Sequence, residues 1–326
     1  MNLKAKELGL AVLLVLLCAV ASVLPESRFL SPTNLQNTAR LIGMYGIFSL
    51  GLGFVVITGG IDLSVGSVLA LLGVLLSFAL ADWHLAAPVA LLLVIVVGGL
   101  LGLGHGLLIA KVRLQPFIVT LCGLLFYRGI ARFIANDETK GFSGVPGIER
   151  FQSLASGNVL GIPTPFLFLL ALAAVLWVLL HRSVYGRHLV ALGRNEEAAR
   201  YAGIPTDRLL ISVYVLSGLL AGVAAIFVAF YTGSISPSSH GNFYELYGIA
   251  AAVLGGCSLR GGEGSVIGIL IGTALLQVLQ NLVNLLSIPS SLNFAVMGAV
   301  ILIGVAVDQL LSRRAAAGGR RPAAPA

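Results

Sequence analysis

The chain has 326 residues, 58% of them hydrophobic and only 10% charged, with a mean hydropathy of +1.00. A soluble domain carries roughly 25% charged residues, so the composition excludes a soluble protein and describes a membrane protein with no separate soluble domain left over. The net charge of +7 is then read as membrane topology, and nucleic acid is a poor explanation for it.

In chain order, Lys4 and Lys6 precede an apolar run at 8–24. Ala19-Val20-Ala21 offers a cleavage site, but the run is long for a signal core, and Leu precedes Cys18 where a lipoprotein signal needs a small residue. Retention as a first span is expected. A span requires roughly 17–25 apolar residues, and nine more candidates follow at 41–57, 65–80, 85–110, 117–135, 165–180, 209–231, 244–259, 266–286 and 292–311. An all-α membrane protein of about ten helices is therefore expected. The third and eighth segments are weak: Gly59-Gly60-Ile61-Asp62 precedes one, and Glu245 and Gly255-Gly256 interrupt the other. Broken or partly re-entrant helices are expected near Gly59–Asp62 and Gly255–Gly256.

Lys and Arg collect on the cytoplasmic side of a membrane. Ten spans with both termini inside leave only Arg28, Arg40, Arg128, Arg132, Lys140 and Arg150 outside. The reverse orientation would place the larger share outside. Residues 1–312 then form one polytopic domain, and the Ala-, Gly-, Arg- and Pro-containing segment 313–326 is expected to be a disordered cytoplasmic tail. Two connections are long. The outer one, 136–164, carries Asp137, Glu138, Lys140, Glu149 and Arg150, enough for a docking surface or lid. The inner one, 181–208, ends in a short charged helix at 195–203. Gly193 and Asn195 stand where that helix begins, Glu196 and Glu197 occupy its first turn, and Gly203 and Pro205 stop it. Two turns are marginal in water, so another surface is expected to hold it.

An echo links GGIDLSVGSV at 59–68 with GGCSLRGGEGSV at 255–266. Repeated Gly-interrupted segments point to a transport pathway, although close helix packing also asks for small residues. Asp62 is costly near a span centre, at ~2.5 kcal/mol or more. With Thr58, Ser64 and Ser67 it either shapes a translocation path or gate, or caps the helix that begins near Ser64. Gln277, Asn281 and Asn284, at i, i+4 and i+7, either line that path or glue helices together. His105 sits among Gly102, Gly104 and Gly106 and reads as a packed histidine. Arg128, Arg132 and Arg150 border the outer face, either as a docking rim or as snorkelling side chains, and Glu245 either meets a docked protein or forms an internal ion pair. Cys18, Cys122 and Cys257 have no paired spacing for disulfide or metal and read as small core residues. No catalytic constellation is present, and no G-x-x-x-x-G-K-[ST] exists to cradle a nucleotide.

TGGIDLSVGS at 58–67, PFIVTL at 116–121, GRNEEAARYAGI at 193–204 and YELYGIAAAVLGGCSLRGGEG at 244–264 resemble the permease subunits of bacterial ABC importers for ribose-like simple sugars, which are related to branched-chain amino acid permeases. The resemblance covers nearly the whole chain. It implies a cobalamin-importer-like fold, a homodimer or heterodimer of permeases in the inner membrane with a substrate path at its centre, and a non-enzymatic role. By the same resemblance Arg194, Asn195, Glu196, Glu197, Ala198, Ala199 and Gly203 belong to a coupling helix docked on separate ABC ATPase subunits, which bind ATP and Mg. A periplasmic sugar-binding protein would dock on the outer face. The chain departs from the family pattern with Tyr247 in place of Asp and with His105-Gly106 in place of Asn-Gly. Other small polar solutes stay open as cargo: a polyol, a furanosyl signalling molecule or a branched-chain amino acid. A proton-coupled carrier would have to rely on Asp62, His105 and Glu245.

Overall fold

The computed structural model describes residues 3–23 and 28–289, together with positions 292, 295, 298, 299 and 302. The chain is mostly helical: α1 (Leu3–Val23), α2 (Pro32–Ile57), α3 (Val65–Ser77, continued by a π turn over Phe78–Asp82), α4 (Ala87–Ala110), α5 (Pro116–Ile134), α6 (Ile148–Ser156), α7 (Thr164–His181), α8 (Val184–Arg194), α9 (Glu196–Tyr201), α10 (Thr206–Thr232), α11 (Tyr244–Leu254) and α12 (Val266–Leu285). Proline at the first or second position starts α2, α4, α5 and α7, where its missing N–H costs no helical hydrogen bond. Among the described residues seven helices are long and apolar enough to cross a membrane, and two shorter apolar helices cover Glu7–Val23 and Tyr244–Leu254.

Burial separates a centre from a periphery. In α2 every residue from Gly46 to Ile57 is buried on all faces, and this helix packs against α7, α10, α11 and α12. By contrast, only 28% of the apolar windows of α4, α5 and α7 is buried inside the chain, so their outer faces are left for lipid or another protein. The tightest join is α4 against α10. A Cβ at Gly106 would stand 2.7 Å from Ile211 Cα, Gly98 and Gly102 meet the Gly218 and Tyr214 carbonyls, and Gly222 rests on Ile95. This is the small-xxx-small arrangement that lets two membrane helices approach backbone to backbone.

Each of the two doubtful segments is preceded by a non-helical connection. Thr58 caps the end of α2, residues 60–64 run without helix, and α3 begins at Val65. The segment 236–243 after α10 is likewise non-helical and leads into the short α11. α3 and α11 meet at their N-termini, with Gly66 against Gly241 and the Glu245 carboxylate. The echo segments also touch. A Cβ at Gly261 would be 2.8 Å from Gly59 N, and the Gly262 N–H donates to Ile57 O at 2.8 Å.

The mostly helical architecture agrees with the expected all-α membrane class, and the connections add two short antiparallel pairs: β1 (Lys140–Gly141) with β4 (Ser234–Ile235), and β2 (Asn158–Val159) with β3 (Ile162–Pro163). Together with α6 these strands give structure to the 136–164 connection. Two expectations are corrected. The 181–208 connection holds two helices, since α8 precedes α9 and buries Gly186, Leu189 and Leu192. The breaks lie between helices, and Gly255–Gly256 ends α11. The expected span 292–311, apart from five positions, and the tail 313–326 fall outside the described residues.

The α4–α10 contact makes a prediction. Gly218→Val should cost on the order of 1–3 kcal/mol through overpacking, lowering the melting temperature in detergent and the yield of monodisperse protein. Gly104→Ala on the same helix, with nothing within 4 Å of the added Cβ, should leave both unchanged or slightly raised.

Candidate functional site

Two acidic side chains are buried among the described residues, Asp62 (3% exposed) and Glu245 (7%). Both sit where a helix begins, and the unpaired N–H groups there favour negative charge. Asp62 Oδ1 accepts hydrogen bonds from the Ser64 backbone N–H (3.0 Å) and Ser64 Oγ (2.6 Å), while Oδ2 accepts from Ser217 Oγ on α10 (2.9 Å). Ser64 Oγ lies 3.5 Å from His105 Nδ1 on α4, and Tyr127 Oη on α5 lies 3.0 Å from His105 Nε2. Ser67 Oγ donates to Ser64 O at 2.7 Å, and Thr120 of α5 donates to Ile61 O at 3.1 Å. Asp62 stabilises the turn into α3, and it also ties that turn to α10 and, through Ser64 and His105, to α4 and α5.

A second cluster surrounds α9. Asn195 Oδ1 accepts from the Ala198 N–H at 2.9 Å, and Gly203 ends the turn with a φ of +80°. Glu196 pairs with Arg113 (2.8 Å) and Arg200 (2.6 Å), and Asp207 pairs with Lys111 (2.9 Å) and Arg113 (2.7 Å). α9 is thus fastened to the start of α10 and to the link between α4 and α5. Ala199 turns inward and is buried, whereas Arg194, Glu197 and Ala198 are exposed. Just before α9, Gly193 packs on Ile57 O and on Gly262, and Gly262 lies against Arg194. The end of α8, immediately before α9, therefore rests on the junction where the two echo segments meet.

At the opposite end, a cavity of about 240 Å³ opens between α3, α5 and the 236–243 segment, lined among others by Ser67, Arg128, Arg132, Asn242, Phe243 and Glu245. Arg128 donates to the carbonyls of Pro237 (2.8 Å) and His240 (2.7 Å), which staples the non-helical segment in place. Arg132 is held by Asp137 at 2.8 and 2.6 Å. The Arg132 guanidinium keeps the Asp137 carboxyl below the usual carboxylate range.

The expected residues divide accordingly. Asp62, Ser64 and Ser67 come together. Thr58 does not join them, since its hydroxyl bonds back to Val55 O. Asn281 exchanges two amide hydrogen bonds with Asn34 (3.0 and 2.7 Å), fixing α12 to α2, while Asn284 is exposed. Gln277 is buried, and its Oε1 has no partner among the described residues. Of the expected docking rim, Arg150 on α6 and Arg132 at the end of α5 stand exposed. Arg128 is committed to backbone carbonyls, and Glu245 is buried with its carboxylate against Gly66. Sequence reading missed Ser217, Tyr127, Asp207 and Asn34. Ser217 and Tyr127 are isolated polar residues in apolar helices, and only the three-dimensional partner marks them out.

The family described as branched-chain amino acid transport system / permease component matches residues 34–305. The chain is 38% identical over 308 residues to the ribose import permease protein of Bacillus subtilis (strain 168), covering 93% of each chain. It is 34% identical over 309 residues to the D-allose transport system permease protein of Escherichia coli (strain K12), covering 94% of this chain and 92% of that one. Identity to the xylose transport system permease protein of the same strain is 32% over 373 residues, covering 95% and 94%. No solved structure matches the chain.

The Asp62 cluster can be tested through stability. Ser217→Ala removes a hydrogen bond to a buried charge and should lower unfolding stability in detergent by about 1.5–3 kcal/mol. Thr58→Val, which removes only a bond within one helical turn, should change it little.

Proposed function

The chain belongs to the permease family of branched-chain amino acid transport systems, and within that family we propose that it is the membrane subunit of an ABC importer that moves a monosaccharide. The observation that carries the choice of cargo is the run of ribose, allose and xylose permeases that align with more than nine-tenths of both chains. In this reading the chain has about ten spans with both termini in the cytoplasm of a cell with an inner membrane. Residues 1–312 form its permease domain and 313–326 its tail. Two copies, or this chain and a similar one, enclose the path in a cobalamin-importer-like arrangement. ATP and Mg are bound by separate ATPase subunits, and a periplasmic binding protein delivers the sugar.

The α9 geometry supports this division of labour. A partner that grips the exposed Glu197–Ala198 edge pushes on a helix whose other side is bonded to Arg113 and Asp207. Movement of α9 then passes to α10 and to the α4–α5 link. Because α4 and α10 are packed backbone to backbone, they respond as one body. Ser217 and His105 on that pair reach Asp62 and Ser64, so the displacement arrives at the non-helical link ahead of α3. The Asp62 cluster is, in this account, the inner gate of the path.

ATP-dependent sugar uptake into proteoliposomes containing the permease with its ATPase tests the proposal. Glu197→Arg and Ala198→Trp change exposed side chains and should leave the permease folded while abolishing ATPase binding and lowering uptake at least ~tenfold, equivalent to about 1.4 kcal/mol of coupling. Uptake that persists without ATPase and follows a proton gradient would refute it.

A further inference from the structure

We infer that the cavity between α3, α5 and the 236–243 segment is a sugar-holding subsite within a single permease, built by Glu245, Asn242, Ser67 and Ser238 around the face of Phe243. The inference deepens the import reading and rests on it. The cavity, at about 240 Å³, falls below the ~300–1,000 Å³ of drug-sized pockets and suits a solute of one sugar ring. Its walls mix a carboxylate, an amide and two hydroxyls with an aromatic ring. A polyhydroxylated solute needs that combination, because each hydroxyl both donates and accepts and the C–H face of the ring packs on an apolar surface.

The site is built rather than incidental. Glu245 is buried, and Gly66 lets it approach α3: a Cβ there would stand 2.5 Å from Glu245 Oε2. Asn242 is oriented by its own Nδ2, which donates to Ser238 O at 2.9 Å. Phe243 adopts φ +63°, a left-handed conformation unusual for a bulky residue. Such strain persists only where the surroundings impose it, and it collects at ligand clamps. Arg128 holds the segment that leads into Phe243, donating to Pro237 O and His240 O. Those bonds use only Nη1 of Arg128, and Asp137 pairs with Arg132; the buried Glu245 carboxylate in the same wall repels a solute carboxylate, so a neutral polyol fits the cavity better than an amino acid. Ser67 Oγ also bonds to Ser64 O of the Asp62 cluster, which places the subsite one turn of α3 from the proposed gate.

The test uses the complete importer in proteoliposomes, with Cys18, Cys122 and Cys257 replaced by Ala and Ser238→Cys added as a reporter. D-ribose should slow labelling of that thiol by a polar maleimide at least ~tenfold, and L-leucine should not. Glu245→Gln or Asn242→Leu should each remove the protection while the thiol still labels. Labelling unaffected by ribose, or slowed by leucine instead, in an importer that still takes up ribose with ATP would overturn the subsite and leave the import reading standing. An importer that takes up no sugar would overturn both.

Discussion

A carboxylate enclosed by apolar helices survives only if its desolvation is offset by donors that the fold itself supplies, and Asp62 imposes that requirement on four segments at once. Its three donors come from Ser64 and from Ser217 on α10, and Ser64 is in turn within reach of His105 on α4. Water cannot take over any of these contacts without entering the core. The link between α2 and α3 is therefore irregular in backbone yet fixed in position, which is how non-helical chain is tolerated at membrane depth. Glu245 makes a parallel demand where α3 and α11 meet, with Arg128 and the first turn of α3 in place of hydroxyl donors.

Glycine makes these meetings possible. Several helix pairs and loops approach at distances that a methyl group would forbid, from Gly98 and Gly218 between α4 and α10 to Gly193, Gly261 and Gly262 just before α9. At Gly261 and Gly262 the backbone also takes positive φ, of +82° and +75°, so both space and conformation select glycine there. Close backbone approach transmits displacement with little slack, since no flexible side chain lies between. The charged helix α9 and the buried Asp62 are thereby connected through the first turns of α10, from Asp207 to Ser217.

Much of this was legible in the sequence, and the limits have physical causes. Apolar runs located the long helices because a span must be long and apolar wherever it lies. The α9 boundaries were legible because Asn195 and Gly203 act within a few residues of themselves. Asp62, Ser64 and Ser67 could be grouped for the same reason, being neighbours in sequence. What could not be read was partnership across the fold. Asn281 looks equally suited to a solute or to another amide, and only Asn34, 247 residues away, decides it. Arg128 looks like a surface rim residue until the 236–243 segment folds over it. α8 escaped notice because its apolar residues Leu189 and Leu192 are few, and its neighbours in the fold decide which face they bury.

The fastening of α9 differs in kind from everything above it. Gly packing and buried hydrogen bonds are insensitive to dissolved salt, whereas the pairs of Glu196 and Asp207 with Arg113, Arg200 and Lys111 are partly exposed, and such pairs are worth only ~0.2–1 kcal/mol each and are screened by ions. Rising ionic strength thus loosens the grip on α9 long before it disturbs the helix bundle. If α9 is the coupling element, as proposed, the machine would then slip rather than unfold, and its stoichiometry would drift, with more ATP hydrolysed for each solute molecule carried across.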